Sequence, residues 1–296
     1  MDETIRWVKL TRSEISQEMA KFGINVSRNI IRKLLKKNGF VKRKMQRKRR
    51  IGNNSDRDKQ FKKIAAKKKA FTTSNNPIIS IDTKKKEKLG DLYREGTVYC
   101  TKAREVNDHD YPHLATGKIC PHGIYDIQKN IAYINIGISY ETAEFVCDSI
   151  RKWWNKYGKK CYPDATEILV LCDAGGANSY RHNIFKIELQ KLANKIKMSI
   201  NISHYPPYAS KWNPIEHRVF PHVTRAMAGV TLNSVEETAQ YIKTAKTSTG
   251  LKVKANIIKK TYAKGKEVAK DFWDKINIEV DSSLPKFNYK ISPAVT

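Results

Sequence analysis

Three acidic residues have positions in the sequence that suit metal chemistry. Asp82 and Asp173 each directly follow a short apolar segment that predicts a β-strand, and Glu216 follows a proline-rich turn. Open α/β sheets hold their ligands at the carboxyl ends of strands, and carboxylate oxygens are the ligands that Mg²⁺ and Mn²⁺ prefer. Brought together at one edge of a sheet, the three carboxylates would therefore bind hard divalent cations.

Each of these acids also has a purely structural interpretation. Asp82 could cap the loop after its strand, Asp173 could begin an Asp-x-Gly turn, and Glu216 could complete a capping box that starts at Asn213. Taken together in a basic protein, the three acids suit the displacement of a phosphodiester by two metal ions about 4 Å apart. One ion activates the attacking water or 3′-hydroxyl, and the other stabilises the departing oxygen.

The net charge indicates the class of partner. The chain has 296 residues, with 57 Lys and Arg against 29 Asp and Glu, and hence a formal charge of +28. Such an excess predicts a polyanionic partner, nucleic acid before any other; a basic protein without a nucleic-acid partner is the alternative. The 40% of hydrophobic residues excludes a disordered basic tail.

Membrane and secreted proteins are not indicated. No run approaches the roughly 18 apolar residues of a membrane span, and the first residues lack the layout of a secretion signal. The five cysteines are an odd number without a Cys-x-x-Cys pair, which predicts reduced thiols. We expect a cytoplasmic protein without a membrane partner.

The first fifty residues predict a helix-turn-helix. Thr11 and Glu14 have the spacing of a capping box, and Ser27 is a good N-cap for a second helix with an apolar stripe. Two short helices joined by a glycine-containing turn are typical of this DNA-binding motif. A basic helical hairpin packed on the main domain is the alternative.

The excess of basic residues is concentrated in three places, where contacts with DNA phosphates are predicted. A solvated linker or turn is the alternative for the second and third. The residues are Arg28, Arg32, Lys33 and Lys36 of the second helix; Lys42, Arg43, Lys44, Arg47, Lys48, Arg49 and Arg50 of the run that follows it; and Lys84, Lys85 and Lys86 after Asp82.

Beyond Pro77 the pattern predicts an α/β domain. Apolar or alternating segments predict five strands and intervening amphipathic segments predict helices, which together indicate a mixed five-stranded sheet flanked by helices. The strands are expected near 78–81, 123–127, 131–138, 168–172 and 198–204, with helices over 141–157 and up to about residue 195.

Six motifs resemble one known family. They are Pro77–Glu87, Val106–Asp110, His122–Asp126, Asp173–Asn178, His204–Arg218 and Thr247–Leu251. From about Ile5 to about Tyr262 the sequence resembles the DDE transposases of bacterial insertion sequences, specifically the Rhodopirellula-type DDE transposase family. The block Trp212–Glu216 is the most specific part of the likeness.

This resemblance implies a ribonuclease-H-like catalytic fold and metal-dependent cleavage at the ends of the element, followed by joining of the 3′-hydroxyls to target DNA. It implies that Asp82, Asp173 and Glu216 are the catalytic and metal-binding residues. It further implies two Mg²⁺ ions, with Mn²⁺ as a substitute, and double-stranded DNA, both terminal repeats and target, as the partner. A homo-oligomer on DNA, associated with the bacterial nucleoid, is expected.

The expected domains are a helix-turn-helix over 1–51, a basic linker over 52–76 whose mostly polar sequence indicates an exposed helix or a linker, the ribonuclease-H-like DDE catalytic domain over 77–230, and a helical C-terminal extension and tail over 231–296. Seven residues in or near the motifs are expected to surround the carboxylates. They are His109, Asp110, Asn178, Trp212, Asn213, His217 and Arg218.

Three alternatives remain open at this stage. His109, His113, Cys120 and His122 lie close enough in sequence to suggest zinc, although their spacing matches no standard structural site. The family usually carries further sequence before the helix-turn-helix, which makes a truncated or catalytically silent DNA-binding derivative the alternative function. An ordinary ribonuclease H or nuclease of the same fold is the third.

Overall fold

The computed structural model describes residues 6–43, 56–108, 110–269 and 271–294. The chain divides into two compact units, residues 1–53 and 54–296. In the described parts, no helix is both long enough and apolar enough to cross a membrane.

The first unit contains two helices, α1 (Arg12–Lys21) and α2 (Arg28–Lys37). The capping box at the start of α1 is formed: the Thr11 hydroxyl accepts from the Glu14 N–H at 3.3 Å, and the Glu14 carboxylate accepts from the Thr11 N–H. Ser27 caps α2 by accepting from the Ile30 N–H. The two predicted helices are therefore present, and Ile31 of α2 is buried.

The second unit is a mixed sheet with helices on both faces. Its helices are α3 (Asp56–Thr73), α4 (Ala143–Trp153), α5 (Lys159–Cys161), α6 (Asn183–Ile196), α7 (Pro214–Arg218), α8 (Phe220–Ala226) and α9 (Val235–Lys243). Its strands are β1 (Ile78–Thr83), β2 (Glu87–Leu89), β3 (Gly117–Asp126), β4 (Ile131–Gly137), β5 (Glu167–Cys172), β6 (Ser199–His204), β7 (Lys252–Ile258), β8 (Ile278–Val280) and β9 (Asn288–Ile291).

The strand order is β7-β4-β3-β1-β5-β6-β9-β8, with β2 pairing β3 from outside this path. The central strands β4, β3 and β1 are antiparallel, and β5 and β6 then run parallel to β1. This arrangement of five strands confirms the predicted mixed sheet and the ribonuclease-H-like fold class.

Two helical layers bury the two faces of the sheet. On one face α4 and α6 pack through Ile150, Trp153 and Leu189 onto the central strands. On the other face α8 and α9 pack onto β3 and β4, for example through Val223 and Ile242. The sheet is therefore covered on both sides, as its largely apolar strands require.

The sheet is larger than the five strands predicted, because the C-terminal region contributes to it. The expected helical extension over 231–296 contains α9 but also β7, which runs parallel to β4, and β8 and β9, which extend the sheet beyond β6. In β7, Lys252 and Lys254 alternate with Val253 and Ala255. Lysines on an exposed edge strand weaken the apolar signal on which strand prediction depends.

The segment 52–76, expected as a basic linker or an exposed helix, contains a helix with a buried side. Residues 56–73 form α3, whose Ile64 and Phe71 pack against Ile78 and Leu169 of the sheet. Because this helix is rich in lysine, the apolar pattern of its buried side is hard to recognise in the sequence. Residues 54–296 consequently form one compact unit.

Gly123 of β3 should be intolerant of a side chain. It is the register partner of Asp82, and a Cβ there would lie 2.5 Å from Ile215 Cδ1 and 2.9 Å from Phe220 Cε1. We expect Gly123→Ala to lower the free energy of unfolding by about 1–3 kcal/mol through overpacking, measured by urea denaturation. Gly117→Ala in the same strand is the control, since its Cβ would lie 3.4 Å from Leu89 Cδ1; equal stability of both variants would contradict the prediction.

Candidate active site

The parallel pairing of β1 and β5 brings the first two acids together. Ile79 pairs with Val170 and Ser80 with Leu171, so the same register continued by two residues sets Asp82 beside Asp173. Both lie where their strands end, at the same edge of the sheet, as predicted for an α/β ligand site. The Asp82 carboxylate also accepts a hydrogen bond from the Thr83 N–H at 2.8 Å.

Helix α7 brings Glu216 to the same edge. Pro214 is its first residue, and Ile215 is buried against the sheet beside Gly123. Asn213 has the predicted N-cap position, but its side chain makes no capping bond to the helix. It is fully buried, and its Nδ2 donates to the Ile81 main-chain oxygen at 3.1 Å.

Burial and the neighbouring acids raise the pKa of both aspartates. Burial raises the pKa of Asp82 far above its ordinary value, and a hydrogen bond shared with Glu216 and the charge of Asp173 raise it further. Burial also raises the pKa of Asp173 to about 6, against the lowering effect of the Asn213 side chain. Neighbouring carboxylates repel one another when they are ionised, so a cation between them is favourable.

None of the three acids is neutralised by a basic side chain. Among the ion pairs of the described residues, Lys and Arg contact other acids, such as Glu87 and Asp148. Asp173 Oδ1 is buried without a hydrogen-bond partner. Acids that only capped turns or paired with lysines would have hydrogen-bond or ionic partners, which Asp173 Oδ1 lacks.

These residues fit a divalent cation by their chemistry. As arranged, no three His, Cys, Asp or Glu side chains in the described residues form a ready-made metal group. The donors are hard carboxylate oxygens, one of them unsatisfied. A divalent cation among the three acids would offset their mutual repulsion.

The other residues expected around the acids are found in different settings. Asn178 is buried beside Cys172. Trp212 is half exposed and packs edge-on against Phe61, with ring centroids 5.9 Å apart. His217 and Arg218 are exposed on α7, Asp110 is exposed, and His109 lies outside the described residues.

The predicted zinc alternative is not supported where the structure describes it. Cys120 and His122 are buried on β3, while His113 is exposed and lies against Tyr111. Burial lowers the pKa of His122 to about 3, and its ring packs edge-on against Phe145. These two buried residues therefore belong to an apolar layer.

An open cleft of about 650 Å³ lies next to Glu216. Lys84 and Lys85 line it, as do Arg94 and Tyr93. Lys84, which was predicted to contact DNA, forms an ion pair with Glu87, which also binds Arg94 at 2.6 Å. Of the three lysines after Asp82, Lys85 is the exposed one and Lys86 is half-buried.

The predicted basic residues of the first unit are only partly described. Arg28, Arg32, Lys33 and Lys36 are exposed on α2, and Lys42 and Arg43 are exposed after it. Lys44, Arg47, Lys48, Arg49 and Arg50 lie outside the described residues.

Sequence reasoning missed a buried support beneath Asp173. His204, at the end of β6, has Nδ1 3.0 Å from the Asp173 main-chain oxygen and Nε2 3.1 Å from the Tyr289 hydroxyl. A carbonyl oxygen only accepts, so Nδ1 carries the proton and Tyr289 donates to Nε2. Burial lowers the pKa of His204 to about 4, which keeps the ring neutral. The signal available in the sequence was His204 at the end of a predicted strand, which is the next strand after the one that precedes Asp173.

The sequence matches the family model of the Rhodopirellula transposase DDE domain over residues 1–293. The chain belongs to this transposase family. A comparison with curated proteins gives no match.

Solved structures similar to this transposase are complexes of the Mos1 transposase. A Mos1 paired-end complex with the left transposon end has a TM-score of 0.47 and 11% identity, covering 79% of this chain and 65% of that chain. A Mos1 mariner paired-end complex with Mn has a TM-score of 0.45 and 14% identity, with the same coverage. The Mos1 strand transfer complex has a TM-score of 0.46 and 10% identity, covering 82% and 72%. The chain thus spans less than two thirds of the length of the first two Mos1 transposase chains.

Removal of the Asp173 charge should stabilise the metal-free transposase at neutral pH. Its folded pKa of about 6 exceeds the ordinary 3.8, so the folded state binds more protons between these values and stability falls as pH rises through that window. In EDTA at pH 7.5 we expect Asp173→Asn to be more stable than wild type by roughly 1–2 kcal/mol, measured by thermal unfolding.

At pH 4 the difference between Asp173→Asn and wild type should shrink, because the carboxyl is then largely protonated in the folded state and no longer carries the uncompensated charge. The exposed Asp164→Asn is the control for the loss of one carboxyl outside the site. A variant less stable than wild type at every pH would contradict the assignment of Asp173 as a strained, uncompensated acid.

Proposed function

We propose that this transposase cleaves DNA at the ends of an insertion sequence and joins the resulting 3′-hydroxyls to target DNA, using two Mg²⁺ ions that Mn²⁺ can replace. The observation that carries the proposal is the meeting of Asp82, Asp173 and Glu216 at one sheet edge without a basic partner. Membership of the family supports it.

In this mechanism Asp82 and Asp173 would hold the two ions, with Glu216 as the further ligand of the second. When bound, the ions would activate the attacking water or 3′-hydroxyl and stabilise the departing oxygen. The Thr83 N–H holds one oxygen of Asp82 in place. Lys85 and Arg218, exposed close to the carboxylates in sequence, contact the flanking phosphates.

The first unit binds the ends of the element through α2. Its four exposed basic residues, with Lys42 and Arg43, contact phosphates and so position the catalytic unit on double-stranded DNA. Because two ends must be held together, we propose a homo-oligomer on DNA, acting in the cytoplasm at the bacterial nucleoid.

Asp82→Asn should abolish cleavage and strand transfer while leaving DNA binding nearly unchanged, because the amide keeps the shape of the side chain and loses the charge that holds a cation. The measurement is cleavage and joining of labelled terminal-repeat DNA in Mg²⁺, with binding followed by fluorescence anisotropy. We expect a loss of more than about 100-fold in rate.

Asp164→Asn, an exposed acid away from the site, is the matched control and should retain wild-type activity. Wild-type activity of Asp82→Asn in Mg²⁺ would refute the catalytic assignment. Specific binding without cleavage by the wild type would favour the DNA-binding derivative, and cutting of an RNA–DNA hybrid without joining would favour a ribonuclease H.

Replacing Arg32 and Lys36 together by Ala should weaken binding of terminal-repeat DNA and make it less sensitive to salt. Each lost phosphate contact lowers the slope of log K against log salt by about 1, so we expect a decrease of about 2. Lys195→Ala, an exposed lysine at the end of α6, is the control. An unchanged slope in the double variant would show that α2 does not contact the DNA backbone.

A further inference from the structure

We propose that Asn213 is the positioning residue of the active site, joining the two elements that carry Asp82 and Glu216 and so setting the spacing of the metal-binding oxygens. The inference rests on the proposed function. Asn213 itself touches neither DNA nor metal in this proposal and acts through the carboxylates.

The side chain of Asn213 is tied first to β1. Its Nδ2 donates to the main-chain oxygen of Ile81 at 3.1 Å, directly before Asp82. Its Oδ1 accepts from the hydroxyl of Ser80, which in turn accepts from the Ile215 N–H at 3.1 Å. The start of α7 is thus fastened to the strand that presents Asp82.

The same residue begins the helix that carries Glu216. Its main-chain oxygen accepts from the Glu216 N–H at 3.1 Å and so begins the turn that carries Glu216. One fully buried residue therefore contacts both β1, which carries Asp82, and α7, which carries Glu216.

The donors and acceptors around position 213 explain why an amide side chain is needed at this position. The Ile215 N–H can only donate, so Ser80 accepts from it and directs its own proton to Asn213. This orients Oδ1 towards Ser80 and leaves an N–H donor for Ile81. An aspartate would have no N–H to donate and would add a fourth carboxyl, while an aliphatic residue would leave buried polar groups unpaired.

The test is Asn213→Ala in the full-length transposase, with Mn²⁺ binding measured by isothermal titration calorimetry in the absence of DNA. Loss of a group that orients metal ligands lowers affinity by about 10–100-fold, and that range is expected. The Mn²⁺ concentration for half-maximal cleavage should rise in parallel, whereas affinity for terminal-repeat DNA should not change.

Asn201→Ala is the matched control. Asn201 is also a nearly buried asparagine on the sheet, and its Nδ2 donates to the Glu167 carboxylate at 2.7 Å, but Glu167 begins β5 at the end opposite Asp173. This variant should lose stability to a comparable degree and keep its Mn²⁺ affinity. If Asn213 had only a structural role, both variants would lose stability and both would keep their Mn²⁺ affinity.

Wild-type Mn²⁺ affinity in Asn213→Ala would overturn the inference. If that variant fails to fold, Ser80→Ala removes only the hydroxyl that orients the amide, and an unchanged Mn²⁺ affinity there would overturn it equally. If the wild type itself binds no Mn²⁺ and cleaves no DNA, the proposed function fails and not the role of Asn213 alone.

Discussion

Repulsion among three partly buried carboxyls is the constraint on which the rest of this structure depends. Asp82, Asp173 and Glu216 meet in a setting that raises the pKa of both aspartates. Holding like charges together lowers stability unless a cation joins them. The chain holds them with rigid elements: two adjacent parallel strands and a short helix fastened to one of them.

The surrounding packing follows from that requirement. Gly123 lets Ile215 and Phe220 approach the sheet where Asp82 is paired, which brings α7 close enough for Glu216 to reach Asp82. On the other side, His204 supports the main chain of Asp173 and is itself held by Tyr289 of β9. The C-terminal strands therefore belong to the sheet that holds Asp173 and are not an appendage to it.

The basic side chains of the described residues are placed so that they form no ion pair with Asp82, Asp173 or Glu216. The formal charge is +28, yet Lys84, the first lysine after Asp82, pairs with Glu87 and not with the triad. The exposed Arg28, Arg32, Lys33 and Lys36 of α2 form no ion pair among the described residues, and in the proposed function they attract DNA without neutralising the three acids. Separation of the two charges would let one chain hold both a polyanion and its cations.

The sequence alone determined the three acids, the two N-terminal helices and the central strands, because apolar runs, capping residues and family motifs are local signals. Only the tertiary structure decided the extent of the sheet and the buried side of α3. Lys252 and Lys254 on β7 and the lysines of α3 mask the apolar pattern of these elements in the sequence, because their buried faces arise only from long-range pairing. It likewise decided that Asn213 bonds to β1 and does not cap its own helix. Ser80 lies 133 residues from Asn213 along the chain, and a contact over that separation exists only once the sheet has formed.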